Sequence, residues 1–537
     1  MRYFFHQVTV LLIVSSLPLI CAEPARDKPN VVIILADDLG YGDVHCYNPE
    51  RGKIPTPHLD RLAGEGMRFT DGHSSSGVCS PSRYTLLTGR YHWRTRLQTG
   101  IVGAWEKPLI APDRLTLAGM VKAQGYRTAC IGKWHLGWDW PATPEQRKHL
   151  SGFGGKAGGG GKDLRREPTA EDQAAWQAVF SQPIAGGPIS RGFERYFGTD
   201  VPNWPPYCFI DNDRTVGIPS TLLPAAFLEK NMASTQGPAL PAWTLEPILP
   251  ALVERASAFI TESAAAKQPF LLYMPLTTPH TPLAVNAAWK GKSGLNSAVA
   301  DLVMETDDAV GRIMAVLTRS GVSDNTLVVF LSDNGMAPYT GAAALEAQGH
   351  FPSGPLRGYK GDTWEGGHRT PFIVRWPTVV SAGQVCPQLV HHADVMATVA
   401  EALAISLPGT AGEDSFSLMP LLRGGKEPVR THAISAGMHG VPGLRVGTWK
   451  LIPGQANSSF NSNKASADKE QVGIKLFDLA TDLGETTNLA EREPQRVRDM
   501  QLLLERLIAD GRSTPGPAAR NDVDVRRYPS AQSALGR

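Results

Sequence analysis

The sequence predicts an α/β fold: a large, mostly parallel central sheet sandwiched by helices, with a smaller C-terminal α+β domain containing an antiparallel sheet and a terminal helix. Three observations predict it. Helical patterns alternate with short unbroken apolar runs, polar residues cluster directly after those runs, and the texture changes after about Gly424. Strands covered by helices on both faces read as continuous apolar runs. Open sheets of this kind bind ligands at the carboxyl ends of their strands, so the polar clusters are where function is expected.

In PNVVIILADDLGYGD, residues 31–35 form a buried strand that ends abruptly in Asp37-Asp38 and a Gly-rich turn. TLAGMVKAQGYRTACIGKWHLG reads as helix, Gly break, strand and loop. SAFITESAAAKQPFLLYMPLTTPHTPL repeats the order, and METDDAVGRIMAVLTRSGVSDNTLVVFLSDNG does so again, with residues 327–331 as the strand. Residues 151–188, rich in Gly, read as a mobile insertion; no GK[ST] follows, so a phosphate-binding loop is not expected. Near the end, LRVGTWKLIPG and IKLFDLATDLGETTNL read as strands of a small antiparallel sheet. EPQRVRDMQLLLERLIADG is an amphipathic helix, with Pro494 in its first turn and Gly511 past its end. Asn457-Ser458-Ser459 fits a glycosylation acceptor, a pattern too short to carry weight.

Composition bounds the partners. Lys+Arg 53 against Asp+Glu 51 gives a net charge of +2, so no basic field points to nucleic acid. The N-terminal apolar run from Val8 to Ile20 follows one early Arg and precedes Ala22. It is shorter than the ~20 residues a membrane span needs, so residues 1–22 read as a signal peptide and the mature protein as exported, periplasmic or secreted. Residues 23–424 then form the larger domain and 425–537 the smaller. Beyond Cys21, the chain holds Cys46, Cys79, Cys130, Cys208 and Cys386 with no tight spacing, which is not a disulfide framework. An odd set in an oxidising compartment leaves at least one unpaired sulfur.

Two acidic-polar pairs, Asp37-Asp38 and Asp333-Asn334, each directly follow a strand. Three carboxylates and an amide gathered at sheet ends repel one another unless a hard cation sits between them, Ca²⁺ or, second, Mg²⁺. Either pair alone is more simply a turn or helix cap. Cys79 precedes Pro81 and a helical run, so its sulfur belongs at a helix N-terminus with Arg83 one turn on the same face. Read from the residues alone, that is an activated nucleophile beside an anion site, against the plainer reading of a buried inert cysteine.

CSPSRYTLLTGR closely resembles the C-x-P-S-R signature of the sulfatase family, the formylglycine-dependent arylsulfatase type of the alkaline phosphatase-like superfamily. NVVIILADDLGYGD, GKWHLG, TTPHTPL, VVFLSDNG and LRGYKGDTWEGGHRTPFIVRWP resemble the family's other blocks in order, and LFDLATDLGETTNLA its C-terminal block. The likeness spans nearly the whole mature chain and is weakest around the Gly-rich insertion. It implies that a formylglycine-generating enzyme oxidises Cys79 to an aldehyde. It further implies metal ligation by Asp37, Asp38, Asp333, Asn334 and the modified residue 79, with calcium the usual ion. Arg83 looks like the residue that holds the formylglycine, Lys133 and His135 like its neighbours, and His280 and Lys360 like groups facing the sulfate and leaving oxygen. The implied chemistry is attack on sulfur by the aldehyde hydrate, protonation of the leaving alcohol by His280, and expulsion of sulfate with His135 as base.

The rival readings are a phosphomonoester or phosphonate hydrolase of the same superfamily and an inactive secreted carbohydrate-binding protein. Sulfated polysaccharide is the substrate class expected by analogy for an exported sulfatase. His368 and Arg369 follow Lys360 and are candidate substrate contacts, or else fix a loop. Trp93, Trp105, Trp138, Trp140 and Trp204 lie in loop-like stretches suited to stacking on sugars, or to small satellite cores.

Overall fold

The computed structural model describes residues 1, 28–153, 167–228, 234–454, 456–458 and 473–526. The proposed signal segment and Cys21 lie outside these residues. In chain order the strands are β1 (Asn30–Ala36), β2 (Met67–His73), β3 (Arg127–Ile131), β4 (Arg195–Gly198), β5 (Ile210–Asp211), β6 (Arg214–Thr215), β7 (Thr221–Leu222) and β8 (Pro238–Ala239). There follow β9 (Phe270–Pro275), β10 (Thr326–Ser332), β11 (Phe372–Arg375), β12 (Gln384–His391), β13 (His432–Ala436), β14 (Pro442–Val446), β15 (Trp449–Ile452) and β16 (Lys475–Asp478).

Ten of them make one sheet in the order β12-β2-β11-β10-β1-β9-β3-β4-β5-β6. β1, β3, β4, β9 and β10 run parallel, whereas β11 is antiparallel to both its neighbours and β5 to both of its own. Every residue of β1, β9 and β10 is buried. The two-residue alternation explains why: Val31, Ile33 and Leu35 enter one apolar cluster while Val32, Ile34 and Ala36 enter another on the opposite face. Helices Ile248–Ala265 and Ala298–Arg319 supply Leu252, Phe259, Val303 and Ile313 to the second cluster. Helix Cys79–Thr88 gives Tyr84, Leu86 and Leu87 to the first.

The proposed insertion at 151–188 is described only at 151–153 and 167–188; residues 154–166, its Gly-rich part, lie outside the described residues. Ala170–Phe180 is a helix capped by Thr169, with Trp176 and Val179 fully inside the first cluster, so the mobile-insertion reading fails over this half. The capping box Thr169–Asp172 and the buried face outweigh the neighbouring glycines.

β13-β14-β15-β16 form a separate antiparallel sheet. Alternation splits its faces. Leu444 and Leu451 meet Val497, Met500, Leu504 and Leu507 of helix Pro494–Ala509, while Arg445 and Lys450 point to the other side. Asn457 accepts from Trp364 Nε1 and Ser458 is buried, so these two belong to the packing, while Ser459 of the acceptor pattern lies outside the described residues. Among the described residues all five cysteines are free, and no helix is long and apolar enough to cross a membrane.

Candidate active site

Four strands adjacent in the sheet, β10, β1, β9 and β3, end side by side, and each delivers a polar pair or residue beyond its last apolar position. From β10 come Asp333 and Asn334, from β1 Asp37 and Asp38, from the loop after β9 His280, and from β3 Lys133 and His135. Parallel register alone therefore gathers residues almost 300 positions apart: Asp38 N–H donates to Asp333 Oδ1 at 3.2 Å with a separation of 295. Asp38 and His135 sit at φ 66° and 55°, left-handed conformations that side chains other than Gly adopt at a cost of order 1 kcal/mol.

Helix Cys79–Thr88 points its first residue into this gathering. Its Arg83 donates from Nε and Nη2 to Asp333 Oδ2 at 3.0 and 2.7 Å, from Nη1 to the Lys133 carbonyl at 3.0 Å, and lies 3.5 Å from Asp37 Oδ1. Lys133 Nζ donates to Asp37 Oδ2 at 2.7 Å, and Lys360 Nζ to Asp38 Oδ2 at 2.6 Å. Asn334 Nδ2 donates to Asp38 Oδ1 at 2.7 Å, and His280 Nε2 stands 3.6 Å from Asp38 Oδ2. Three buried carboxylates are thus matched by three buried cations.

The donor set suits a hard divalent cation. With Asn334 Nδ2 committed to Asp38, its Oδ1 is left buried without a hydrogen-bond partner, as is Asp37 Oδ1. Asp37, Asp38, Cys79 and His280 each bring a ligand atom within 4.8 Å of the others. Asp333 lies beside that grouping, with Oδ2 held by Arg83 and Oδ1 accepting the Asp38 amide, which leaves Oδ1 a lone pair for an ion.

Electrostatics corrects one expectation. Burial pushes the Cys79 thiol up to about 12, and Lys133 and Lys360 reverse only part of that. Cys79 is 2 % exposed. The helix tip is real, but desolvation of the thiolate dominates it. Burial thus disfavours the thiolate at residue 79. Burial raises Asp37 as well, yet Lys133, His280 and Arg83 outweigh it and hold this carboxyl well below its usual range. Burial and the Asp37 charge raise Asp333 to about 7. Burial, then Lys360, depress His280 to about 4, and burial with Lys133 holds His135 far below an ordinary imidazole.

Both histidines have their tautomers set by carbonyls. The contact of His135 Nε2 with Val102 O at 3.1 Å makes that nitrogen the donor and leaves a buried Nδ1 lone pair without a partner. His280 Nδ1 meets Thr281 O at 2.6 Å, which leaves Nε2 toward Asp38.

His368 and Arg369 do not join this group. His368 is fully buried between His73 Nδ1 and the Thr363 carbonyl, and Arg369 pairs with Asp71 and Glu365, so both fix the loop. Trp138 and Trp140, at 1 % and 2 % exposure, are core rather than stacking platforms. Trp93 stacks on Tyr91 and lies under Arg94, and Trp105 packs edge-on to Trp140. Of the five, Trp204 meets a site residue, edge-on to His135 at 5.5 Å. Two neighbours carried no sequence signal. The Asp200 carboxylate accepts from His135 N–H at 3.1 Å, and Tyr339 is close enough for Lys360, Asp38 and Cys79 to act on its phenol. Neither stands in a motif.

The sulfatase family model matches residues 29–405. The chain is 31% identical over 498 residues to N-acetylgalactosamine-6-O-sulfatase of Bacteroides thetaiotaomicron, covering 89% of this chain and 93% of that one. To human arylsulfatase A it is 30% identical, covering 95% and 94% respectively. A solved structure from work on the metabolism of multiple glycosaminoglycans by Bacteroides thetaiotaomicron superposes with a TM-score of 0.75 at 30% identity, covering 90% of this chain and 99% of that one. Strand-end chemistry, sequence blocks and architecture converge: this chain belongs to the sulfatase family and is a sulfuric ester hydrolase.

Proposed function

We propose that the protein is an exported, calcium-dependent carbohydrate sulfatase whose residue 79 is converted from Cys to Cα-formylglycine by a maturation enzyme. The observation that carries it is the meeting of Asp37, Asp38, His280 and a buried Cys79, with Asn334 bonded to Asp38 and its own Oδ1 buried without a partner, and Lys133 and Lys360 on the two aspartates. The carbohydrate class is supported by the relatives, one named for an N-acetylgalactosamine 6-O-sulfatase and one from glycosaminoglycan metabolism.

The residues would divide the work as follows. Asp37, Asp38, Asp333, Asn334 and residue 79 would hold Ca²⁺, with Arg83 steadying Asp333 from behind. The ion, when bound, lowers the pKa of the attacking oxygen and neutralises charge on the sulfuryl group. Hydrated formylglycine supplies two hydroxyls, one to attack sulfur and one whose deprotonation expels sulfate. Lys133 and Lys360 balance charge on the sulfuryl oxygens. His135 takes a proton at Nδ1, the atom its Val102 contact leaves free. His280 gives a proton from Nε2 to the leaving alcohol; because Nδ1–H is held by Thr281 O, this requires the imidazolium, which an arriving anionic ester favours.

Incubation with a panel of defined sulfated sugars should release inorganic sulfate, measured by ion chromatography. The phosphate ester of the same alcohol should be turned over far more slowly; the reverse preference would favour the phosphohydrolase rival. Chelation with EGTA should abolish sulfate release and Ca²⁺ should restore it. At 100 times its Kd, Ca²⁺ should also stabilise the fold by about 2.7 kcal/mol. Full activity after exhaustive chelation would sink the metal assignment.

A further inference from the structure

Glu365, Lys450 and Glu485 form a fully buried set of charges that the chemistry above does not use. Glu365 belongs to the segment 358–369, which also carries Lys360. The backbone of this segment bonds to two loops of the site. Gly361 N–H donates to Gly77 O at 2.7 Å, and His368 O accepts from Ser74 N–H at 2.8 Å, both just ahead of Cys79. Gly367 O accepts from Gly335 N–H at 3.0 Å, next to Asn334, and Lys360 N–H donates to Met336 O at 3.0 Å. The fold-back needs glycine: a Cβ on Gly366 would lie 2.3 Å from Gly358 O, and one on Gly367 2.3 Å from Asp362 O. Moving this segment moves Lys360, the Cys79 loop and the Asn334 turn together.

Its anchor comes from the C-terminal sheet. Lys450 Nζ on β15 lies 2.9 Å from Glu365 Oε1 and 2.8 Å from Glu485 Oε1, while Glu485 Oε2 accepts from Glu365 N–H at 2.7 Å. That closes a ring of carboxylate, ammonium, carboxylate and amide. Glu365 Oε2 meets Arg445 at 3.2 Å and Arg369 at 3.3 Å, and both of these also hold Asp71. His73, Glu365 and His368 are close enough to suggest a second cation site. Yet Asp71, Glu365 and Glu485 are already matched by Arg369, Arg445 and Lys450, and all four ring nitrogens of His73 and His368 have partners.

We infer that Lys450 and Glu485 are positioning residues, which set the sulfate-facing segment from outside the catalytic sheet. The inference rests on the reading of Lys360 as a sulfate contact. Lys450→Met alone strands a buried carboxylate and will cost stability as well as turnover. Lys450→Met/Glu485→Gln restores charge balance but not the ring. The double variant should therefore melt near the wild type, with kcat still down about 10- to 100-fold and weaker binding of inorganic sulfate by calorimetry. Glu485→Gln, which keeps an acceptor for Glu365 N–H, should lose less, and Lys450→Arg should recover part of kcat. Recovery of kcat together with melting temperature in the double variant would overturn the inference, as would unchanged sulfate affinity. Should the wild type cleave no sulfate ester, the hydrolase reading falls, and the sulfate-binding arm still decides this one.

Discussion

Replacing Cys79 with alanine is expected to lower kcat on the order of 10⁴- to 10⁶-fold, the scale of losing a covalent nucleophile, while leaving the fold intact. One buried sulfur is removed, worth about 1 kcal/mol of packing. Arg83, Lys133 and the three carboxylates retain their mutual contacts, none of which passes through Sγ. The buried thiol held at about 12 makes the test sharper, because unmodified cysteine should be as inactive as alanine. Intact-mass measurement separates the two populations, since conversion to formylglycine lowers the mass. Turnover should track the converted fraction. Residual activity within tenfold of wild type in Cys79→Ala, or full activity in unconverted protein, would refute the mechanism.

Acidification is the second large effect. Burial depresses His92 and His392 to about 3, and pushes His73, His368 and His391 below an ordinary imidazole as well. In the unfolded chain each titrates near the usual 6.5. Below that value the unfolded state binds protons that the folded state refuses, so stability present at neutral pH is lost as pH falls from 6.5. By pH 5 His92 and His392 each cost about 2 kcal/mol, and the other three add to the loss in the same direction. Asp200, Asp307 and Asp394, raised to about 6, and Asp333 and Glu485, raised to about 7, all mainly by burial, work the other way, as does Glu305, and take back part of that loss. With His135, His280 and His432 depressed as well, eight histidines stand against these six acids, and the balance is a loss. Urea midpoints should therefore fall steeply between pH 7 and 5, and His392→Gln should flatten the slope. A midpoint independent of pH would contradict this.

What was legible in the sequence was what the backbone decides locally. An unbroken apolar run ending in two aspartates announces both a doubly covered strand and its functional end, and β1 and β10 are where those signals told. The sequence leaves Cys79 open between an activated thiol and a buried one because a helix tip is a local property while desolvation is a tertiary one. Trp138 and Trp140 stay open between stacking platforms and satellite cores for the same reason: glycine and proline around them say loop, but only the folded chain shows the loop lying inward. Asp200 and Tyr339 reach the site from segments with no periodic or motif signal. Lys450 is hidden for a subtler reason. Alternation along β15 tells that it faces opposite to Leu451, not that another sheet's charge awaits it.

The left-handed backbone at Asp38 and His135 carries a consequence for engineering. At His135, whose Nδ1 is already buried without a partner, a glycine would release that backbone cost, so a screen for heat resistance alone can reward loss of the imidazole. At Asp38 the strain is locked in, because removing the carboxylate would strand the buried Lys360 ammonium, and any stabilised library should hold both positions fixed.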